Sequence, residues 1–135
     1  MLYTAVATAS GREGRAVTSD GSLDVRLAPP KELGGSGEGT NPEQLFAAGY
    51  AACFASAINL AGRRAKTDVS DVSVTAEVDL GALGNGRYGL SVVLRVELPE
   101  HLHGEAGQAL VEAADLVCPY SNSTRGNIPF AIVIE

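Results

Sequence analysis

The sequence contains two cysteines, Cys53 and Cys118, and these are the residues best suited to carry chemistry. In a reducing compartment a lasting structural disulfide is not expected, so a cysteine pair there is more often redox-active or catalytic. Each cysteine also has a structural explanation. Cys53 stands among small and apolar residues, as a core cysteine does, and Cys118 precedes Pro119, where a helix would end. The spacing of the two thiols leaves both interpretations open.

Three charged residues are further candidates for a site. Arg12 lies in the glycine-rich turn 11–14, and Arg15 beside it is equally basic. Arginines at hairpin tips are commonly solvated, which is the alternative for both. Glu43 stands in the first turn of a predicted helix, where a carboxylate complements the helix dipole. Residue type and spacing alone do not separate functional from structural roles here.

Composition limits the classes of partner. The 135 residues predict a single domain, 1–135. There are 10 Lys and Arg against 16 Asp and Glu, a net charge of −6, and no basic run, which argues against nucleic-acid and anionic-membrane partners. No apolar run approaches the roughly 20 residues of a membrane span, and no signal-peptide pattern opens the chain. With only two histidines, His101 and His103, no metal site is expected. We expect a cytoplasmic protein.

The elements that must position these residues alternate between strand and helix patterns. Three short strands precede one long apolar helix, a hairpin turns at Asn85-Gly86, and a helix and a last strand follow. The order βββ-α-ββ-α-β predicts an α+β class with mostly antiparallel strands. The glycine-rich segment 31–39 is either a flexible connector or the rim of a pocket. The predicted ranges are strands 2–9, 15–19, 23–27, 72–80, 88–98 and 129–134, and a second helix with an apolar stripe of Leu102, Ala106, Leu110, Ala113 and Val117.

The long helix has the clearest start signal in the chain. Asn41 is a good N-cap, Pro42 suits the first helical position, and Gln44 has capping-box spacing. Residues 45–61 are apolar nearly all round, which predicts a helix buried on all sides. A sheet and one further helix cannot cover all of its faces, so we expect a second copy of the chain to do so, in a homodimer.

Two motifs around the cysteines resemble a known family. The run GTNPEQLFAAGYAACF, residues 39–54, resembles the first cysteine motif of the organic hydroperoxide resistance proteins, within the wider family of osmotically inducible thiol peroxidases. The run VCPYSNSTRGN, residues 117–127, resembles their second motif. The N-terminal residues 2–14 also fit, so the resemblance covers the whole chain. It implies antiparallel sheets around a buried central helix in an intertwined homodimer.

The resemblance also implies an activity and roles for the candidates. It implies a cysteine peroxidase that reduces organic hydroperoxides to alcohols, with Cys53 attacking, Cys118 resolving, and Arg12 and Glu43 as the family's arginine and glutamate. It implies no bound cofactor, and an external dithiol of the lipoyl type, dihydrolipoamide or a lipoylated protein, as reductant. Apolar side chains near Cys53 are candidates for substrate binding: Phe46, Tyr50 and Phe54. The alternative is a non-enzymatic thiol redox sensor or small-ligand-binding protein on the same fold.

Glu43 and Cys53 pose a geometric question. They are 10 residues apart on one predicted helix, a rise of about 15 Å with a rotation of about 80° beyond whole turns. Three arrangements remain open: the helix breaks near Gly49, Arg12 bridges the gap, or Glu43 serves a Cys53 site formed with a partner subunit. Because the helix already needs outside cover, we expect a site at the dimer interface.

Overall fold

The computed structural model describes all residues, 1–135, in two compact units, Met1–Leu45 and Phe46–Glu135. The α+β class is confirmed, with one short helix more than the sequence predicts. The prediction of one domain over 1–135 stays a prediction. The elements are β1 (Ala7–Ala9), β2 (Gly14–Thr18), β3 (Asp24–Leu27), α1 (Pro42–Ala65), β4 (Ser73–Gly84), β5 (Arg87–Glu97), α2 (Glu105–Val117), α3 (Pro119–Thr124) and β6 (Phe130–Ile134), with 3₁₀ turns at Lys31–Leu33 and Glu100–Leu102.

The first unit holds an antiparallel meander in the order β1-β2-β3. Ala7 pairs with Thr18, and Ala16 pairs with Val25. The strand predicted from residue 2 is shorter than expected, because β2 ends at Thr18 and the chain turns there, so the residues before Ala7 have no strand to pair with.

The second unit holds a sheet in the order β4-β5-β6. β4 and β5 form the predicted hairpin, with Asn85 and Gly86 at positive φ in its turn. β6 pairs in parallel with β5. It lies at the sheet edge, and its residues alternate between half-buried and exposed.

The core of the second unit lies between this sheet and the helices. Alternate residues of β5 face inward, as the sequence pattern predicts, and pack against one face of α1 and one face of α2. The fully or nearly fully buried members include Tyr50, Phe54, Ile58, Val92, Leu94, Val96, Leu110, Val111 and Ala114.

The buried face of α2 differs from the predicted stripe. Its buried residues are Gly107, Leu110, Val111 and Ala114, whereas Ala106 and Ala113 are exposed. Gly107 accounts for the rotation, because a Cβ at this position would lie 1.9 Å from the carbonyl oxygen of Leu102. The backbone therefore approaches more closely than an apolar side chain would allow.

Helix α1 is continuous from Pro42 to Ala65, so a break near Gly49 is wrong. Asn41 caps it as predicted, accepting a 2.8 Å hydrogen bond from the Gln44 amide. The prediction that it is buried on all sides is not met within one chain, since Ala48 and Ala52 are exposed. By length and composition α1 could also cross a membrane, a test that the core helix of a soluble protein passes as well.

Candidate active site

The two cysteine thiols lie side by side in the second unit. The Cys118 thiol is 3.5 Å from Sγ of Cys53, within hydrogen-bond distance for two sulfurs, and both cysteines are free. Cys53 projects from α1, and Cys118 is the single residue between α2 and α3. Cys118 is completely buried, whereas Cys53 is half-buried. The structure thus brings together two residues that are 65 positions apart in the sequence.

Helix α3 is the element that the sequence did not predict. Its residues, 119–124, read as a polar turn after a helix exit. α2 does end at Val117 before the predicted break, but Pro119 then occupies the first turn of a new helix, where its fixed φ and missing N–H carry no penalty. The backbone amide of Tyr120, in the same first turn, lies close enough to the Cys53 sulfur to favour its thiolate.

The environment of Cys53 acts on its protonation in opposing directions. Burial raises the pKa of the Cys53 thiol, because a thiolate is poorly solvated in an apolar environment. The Tyr120 amide lowers it by bonding to the anion, and the adjacent Cys118 sulfur raises it again. The net direction is upward, so these neighbours alone do not produce a thiolate at neutral pH.

Three hydroxyl groups fasten α3 to α1. The Tyr50 hydroxyl is 2.8 Å from Oγ of Ser121 and 3.1 Å from Oγ1 of Thr124. All three residues are buried, and burial raises the pKa of the Tyr50 phenol, which stays neutral. Ser121 and Thr124 were missed from the sequence. Their separation of three residues, which places them on one face of a helix, is the signal that could have identified them.

The three aromatic candidates for substrate binding differ in position. Phe46 is half-buried and lines a cavity of about 260 Å³ with Tyr120, Ser123 and Thr124. Tyr50 and Phe54 are completely buried and expose no surface to a ligand. A ring of Tyr120 lies over α1 beside Gly49, where a Cβ would come within 2.7 Å of its hydroxyl. Tyr120 therefore lines this cavity, while its backbone amide lies beside the Cys53 sulfur.

The charged candidates form a pair in the first unit. Arg12 donates from Nη1 and Nη2 to the two carboxylate oxygens of Glu43, at 2.9 and 3.3 Å. This two-point ion pair raises the pKa of the Arg12 guanidinium. Arg15 pairs instead with Asp24 on the neighbouring strand. Arg12, rather than Arg15, is thus the arginine bonded to Glu43.

Other features of the surface offer no second reactive site. No group of three or more His, Cys, Asp or Glu side chains is arranged to hold a metal ion. A larger cavity of about 520 Å³ beside α2 is lined by Gly104, Glu105, Gln108, Ala109, Glu112 and Ile134, and contains no thiol.

Comparisons with known proteins agree with the motifs. Residues 35–133 match the family model described as OsmC-like protein. An organic hydroperoxide resistance protein of Xanthomonas axonopodis pv. citri is 50% identical over 99% of this chain and 95% of its own length. The crystal structure of an organic hydroperoxide resistance protein from Legionella pneumophila superposes with a TM-score of 0.91 at 45% identity, covering 100% of this chain and 98% of that one. OhrB of Bacillus subtilis gives 0.88 at 37% identity, covering 100% of both chains.

Proposed function

The chain belongs to the OsmC-like family, among its organic hydroperoxide resistance proteins, and from this premise we propose that it detoxifies peroxides as a thiol-dependent peroxidase that reduces organic hydroperoxides to alcohols. The observation that carries the proposal is the cysteine pair, with two free thiols 3.5 Å apart, one half-buried and one completely buried. Related proteins named for organic hydroperoxide resistance support the class of substrate.

The proposed reaction has three steps. The Cys53 thiolate attacks one peroxide oxygen, the O–O bond breaks, and the alkoxide takes a proton to leave as an alcohol while Cys53 becomes a sulfenic acid. The Cys118 thiol then condenses with it, forming the Cys53–Cys118 disulfide and releasing water. An external dithiol reduces that disulfide by thiol–disulfide exchange and is itself oxidised to a cyclic disulfide.

Burial supports this division of labour between the cysteines. A peroxide in solution can reach the half-buried Cys53, whereas Cys118 has no accessible surface. A buried thiol 3.5 Å from the first is placed to trap a sulfenic acid before a second peroxide arrives. The same contact explains how the nucleophile would escape irreversible over-oxidation.

Arg12 is proposed to do more than favour the thiolate. If a nearby cation lowers a thiol pKa by about three units, the thiolate fraction at neutral pH rises ~30-fold, but its nucleophilicity falls by ~15–30-fold. These effects nearly cancel. We therefore assign Arg12 the positioning of the peroxide and the stabilisation of the departing alkoxide, with Glu43 holding the guanidinium through the two hydrogen bonds of their ion pair.

We further propose that two chains build each site. The continuous helix α1 keeps Glu43 about 15 Å along its axis from Cys53, and its exposed Ala48 and Ala52 leave an apolar face for a partner. Mixing inactive Cys53→Ser and Glu43→Ala chains and letting them exchange tests this. Heterodimers with one complete site should regain activity if residues are shared across chains, and no recovery would show that each chain builds its own site.

The reductant and location complete the proposal. A lipoyl-type dithiol, either dihydrolipoamide or a lipoylated protein, recycles the enzyme in the cytoplasm, with no bound cofactor. An apolar cavity beside Phe46 and Tyr120 suits a bulky hydroperoxide better than hydrogen peroxide.

Turnover distinguishes the peroxidase from a redox sensor. With dihydrolipoamide in excess, the protein should consume many equivalents of cumene hydroperoxide and should consume hydrogen peroxide more slowly. Consumption that stops after one equivalent, despite the dithiol, would identify a sensor instead.

A further inference from the structure

Cys118 stands at a corner of the backbone. It is the only residue between α2 and α3, with φ −70° and ψ 118°, and both helices use its backbone: its amide donates to Ala114 and its carbonyl accepts from Asn122. A change in these two dihedral angles would swing α3 relative to α2. Since Cys118 is the corner residue and its sulfur lies 3.5 Å from that of Cys53, the shape of this corner sets how the two thiols meet.

Three side-chain hydrogen bonds cross the corner. Nη2 of Arg125 donates to the backbone oxygen of Asp115 at 2.9 Å and to its Oδ2 at 3.1 Å. Nδ2 of Asn122 donates to the backbone oxygen of Leu116 at 3.0 Å. The two backbone oxygens belong to the last turn of α2, where carbonyls lack partners within the helix. The bonds therefore tie the end of α2 to the far end of α3.

Arg125 links these contacts into one network. Its Nη1 donates to Oδ1 of Asn122 at 2.7 Å, so the same guanidinium holds the residue that bonds Leu116. The Oδ1 atom of Asp115 is buried without a hydrogen-bond partner. Arg125 thus supplies the ion pair of a carboxylate whose other oxygen already lacks a partner. Removing the Arg125 side chain would leave both carboxylate oxygens of Asp115 without a hydrogen bond.

We propose that Arg125, which takes no part in the three reaction steps, is a positioning residue for Cys118, and that it sets how fast the Cys53 sulfenic acid is resolved. The inference rests on the proposed peroxidase function. The two sulfurs must approach from 3.5 Å to the roughly 2.05 Å of a disulfide. A more mobile backbone at Cys118 would hold them at a bonding distance for a smaller fraction of the time. A misplacement of about 1 Å can cost a reaction up to about 100-fold.

The test compares Arg125→Met with Arg95→Met. Arg95 is a matched control, because it is a comparably exposed arginine that bonds two carboxylates, those of Glu77 and Glu135, on the sheet. Each reduced protein receives increasing cumene hydroperoxide without dithiol, and intact mass gives the ratio of Cys53 sulfinic acid to disulfide. We expect over-oxidation of Arg125→Met at about tenfold lower peroxide than for the parent and Arg95→Met.

A second variant guards against a general loss of structure. Asp115→Asn keeps the shape and an acceptor oxygen but removes the charge, and we expect it to lie between the parent and Arg125→Met. A ratio for Arg125→Met equal to that of the parent, or a faster resolution, would overturn the proposal. Loss of stability alone does not move this ratio in a protein that remains folded at the assay temperature.

A measurement without peroxide separates this inference from the proposed function. The protein is equilibrated with reduced and oxidised glutathione. The protein dithiol becomes a disulfide as one oxidised glutathione is reduced to two thiols. The equilibrium constant gives the effective concentration of the two protein thiols toward each other. We expect this concentration to fall about tenfold in Arg125→Met. A parent that forms the disulfide but turns over no hydroperoxide would end the proposed function and leave this comparison intact. An unchanged value in Arg125→Met would end the inference.

Discussion

The Tyr50→Phe substitution tests whether the buried hydroxyl groups hold α3 in place. The change removes one oxygen and both of its hydrogen bonds, to Ser121 at 2.8 Å and Thr124 at 3.1 Å. Thr124 keeps a 3.4 Å contact with the backbone oxygen of Ser121. The Ser121 hydroxyl, on a residue that is only 1% exposed, has no other partner and is left unsatisfied.

One orphaned buried hydroxyl costs about 1–3 kcal/mol. We therefore expect Tyr50→Phe to lower the free energy of unfolding by about 2 kcal/mol. Urea denaturation at one fixed protein concentration measures this, because the stability of the proposed homodimer would depend on protein concentration. Adding Ser121→Ala to Tyr50→Phe removes the orphaned group, so the double variant should be less destabilised than the sum of the single ones.

Tyr88→Phe is the matched control, because Tyr88 is 72% exposed. Its change should lie within about 0.5 kcal/mol of the parent. Equal stabilities of Tyr50→Phe and Tyr88→Phe would refute the reasoning, and with it the idea that this cluster fastens α3.

Three further predictions concern charge, packing and pH. Arg12→Ala should slow peroxide reduction by at least ~100-fold, as loss of a charge-stabilising donor does. Arg15→Ala breaks only the pair with Asp24 and should resemble the parent. Steady-state turnover measures both variants, and the reverse ranking of their rates would contradict the assignment. Gly107→Ala should destabilise the fold by about 3 kcal/mol in urea denaturation, because its Cβ would meet the Leu102 carbonyl. A Cβ in Gly81→Ala would meet no atom within 4 Å, so that variant should be nearly as stable as the parent. Similar losses of stability in both variants would show that α2 can shift. Burial raises the pKa of Cys53 and only the thiolate attacks, so the single-turnover oxidation rate of Cys53 should increase with pH below that pKa. Arg12→Ala should move the midpoint of this pH–rate curve to higher pH. An unmoved midpoint would show that Arg12 does not act on the thiolate.

Features encoded by neighbouring residues were predictable from the sequence. The Asn41 cap and the Asn85-Gly86 turn depend on local backbone chemistry, and both form as expected. The inward face of β5 follows from its alternation of apolar and polar residues. The capping box is only half formed, because the Gln44 side-chain oxygen accepts from the Thr40 hydroxyl rather than from the Asn41 amide.

Features that depend on distant residues were not predictable from the sequence. The buried face of α2 depends on how closely Gly107 approaches Leu102, and the helical state of residues 119–124 depends on contacts with α1. Tyr50 reads as a pocket aromatic in the sequence, but its hydroxyl bonds a serine 71 positions away. The contact between the two thiols likewise follows from the packing of α1 against the α2–α3 corner, and motif resemblance, rather than spacing, pointed to it.

The central claim is that Cys53 attacks and Cys118 resolves, and intact mass after a single equivalent of cumene hydroperoxide tests it most directly. The reduced parent should lose two hydrogens as the Cys53–Cys118 disulfide forms. Cys118→Ser should instead gain one oxygen, in a sulfenic acid that a dimedone probe captures, and Cys53→Ser should remain unchanged. An oxygen added to Cys118 in the Cys53→Ser protein, or dithiol-dependent turnover retained by both variants, would contradict the two-cysteine mechanism.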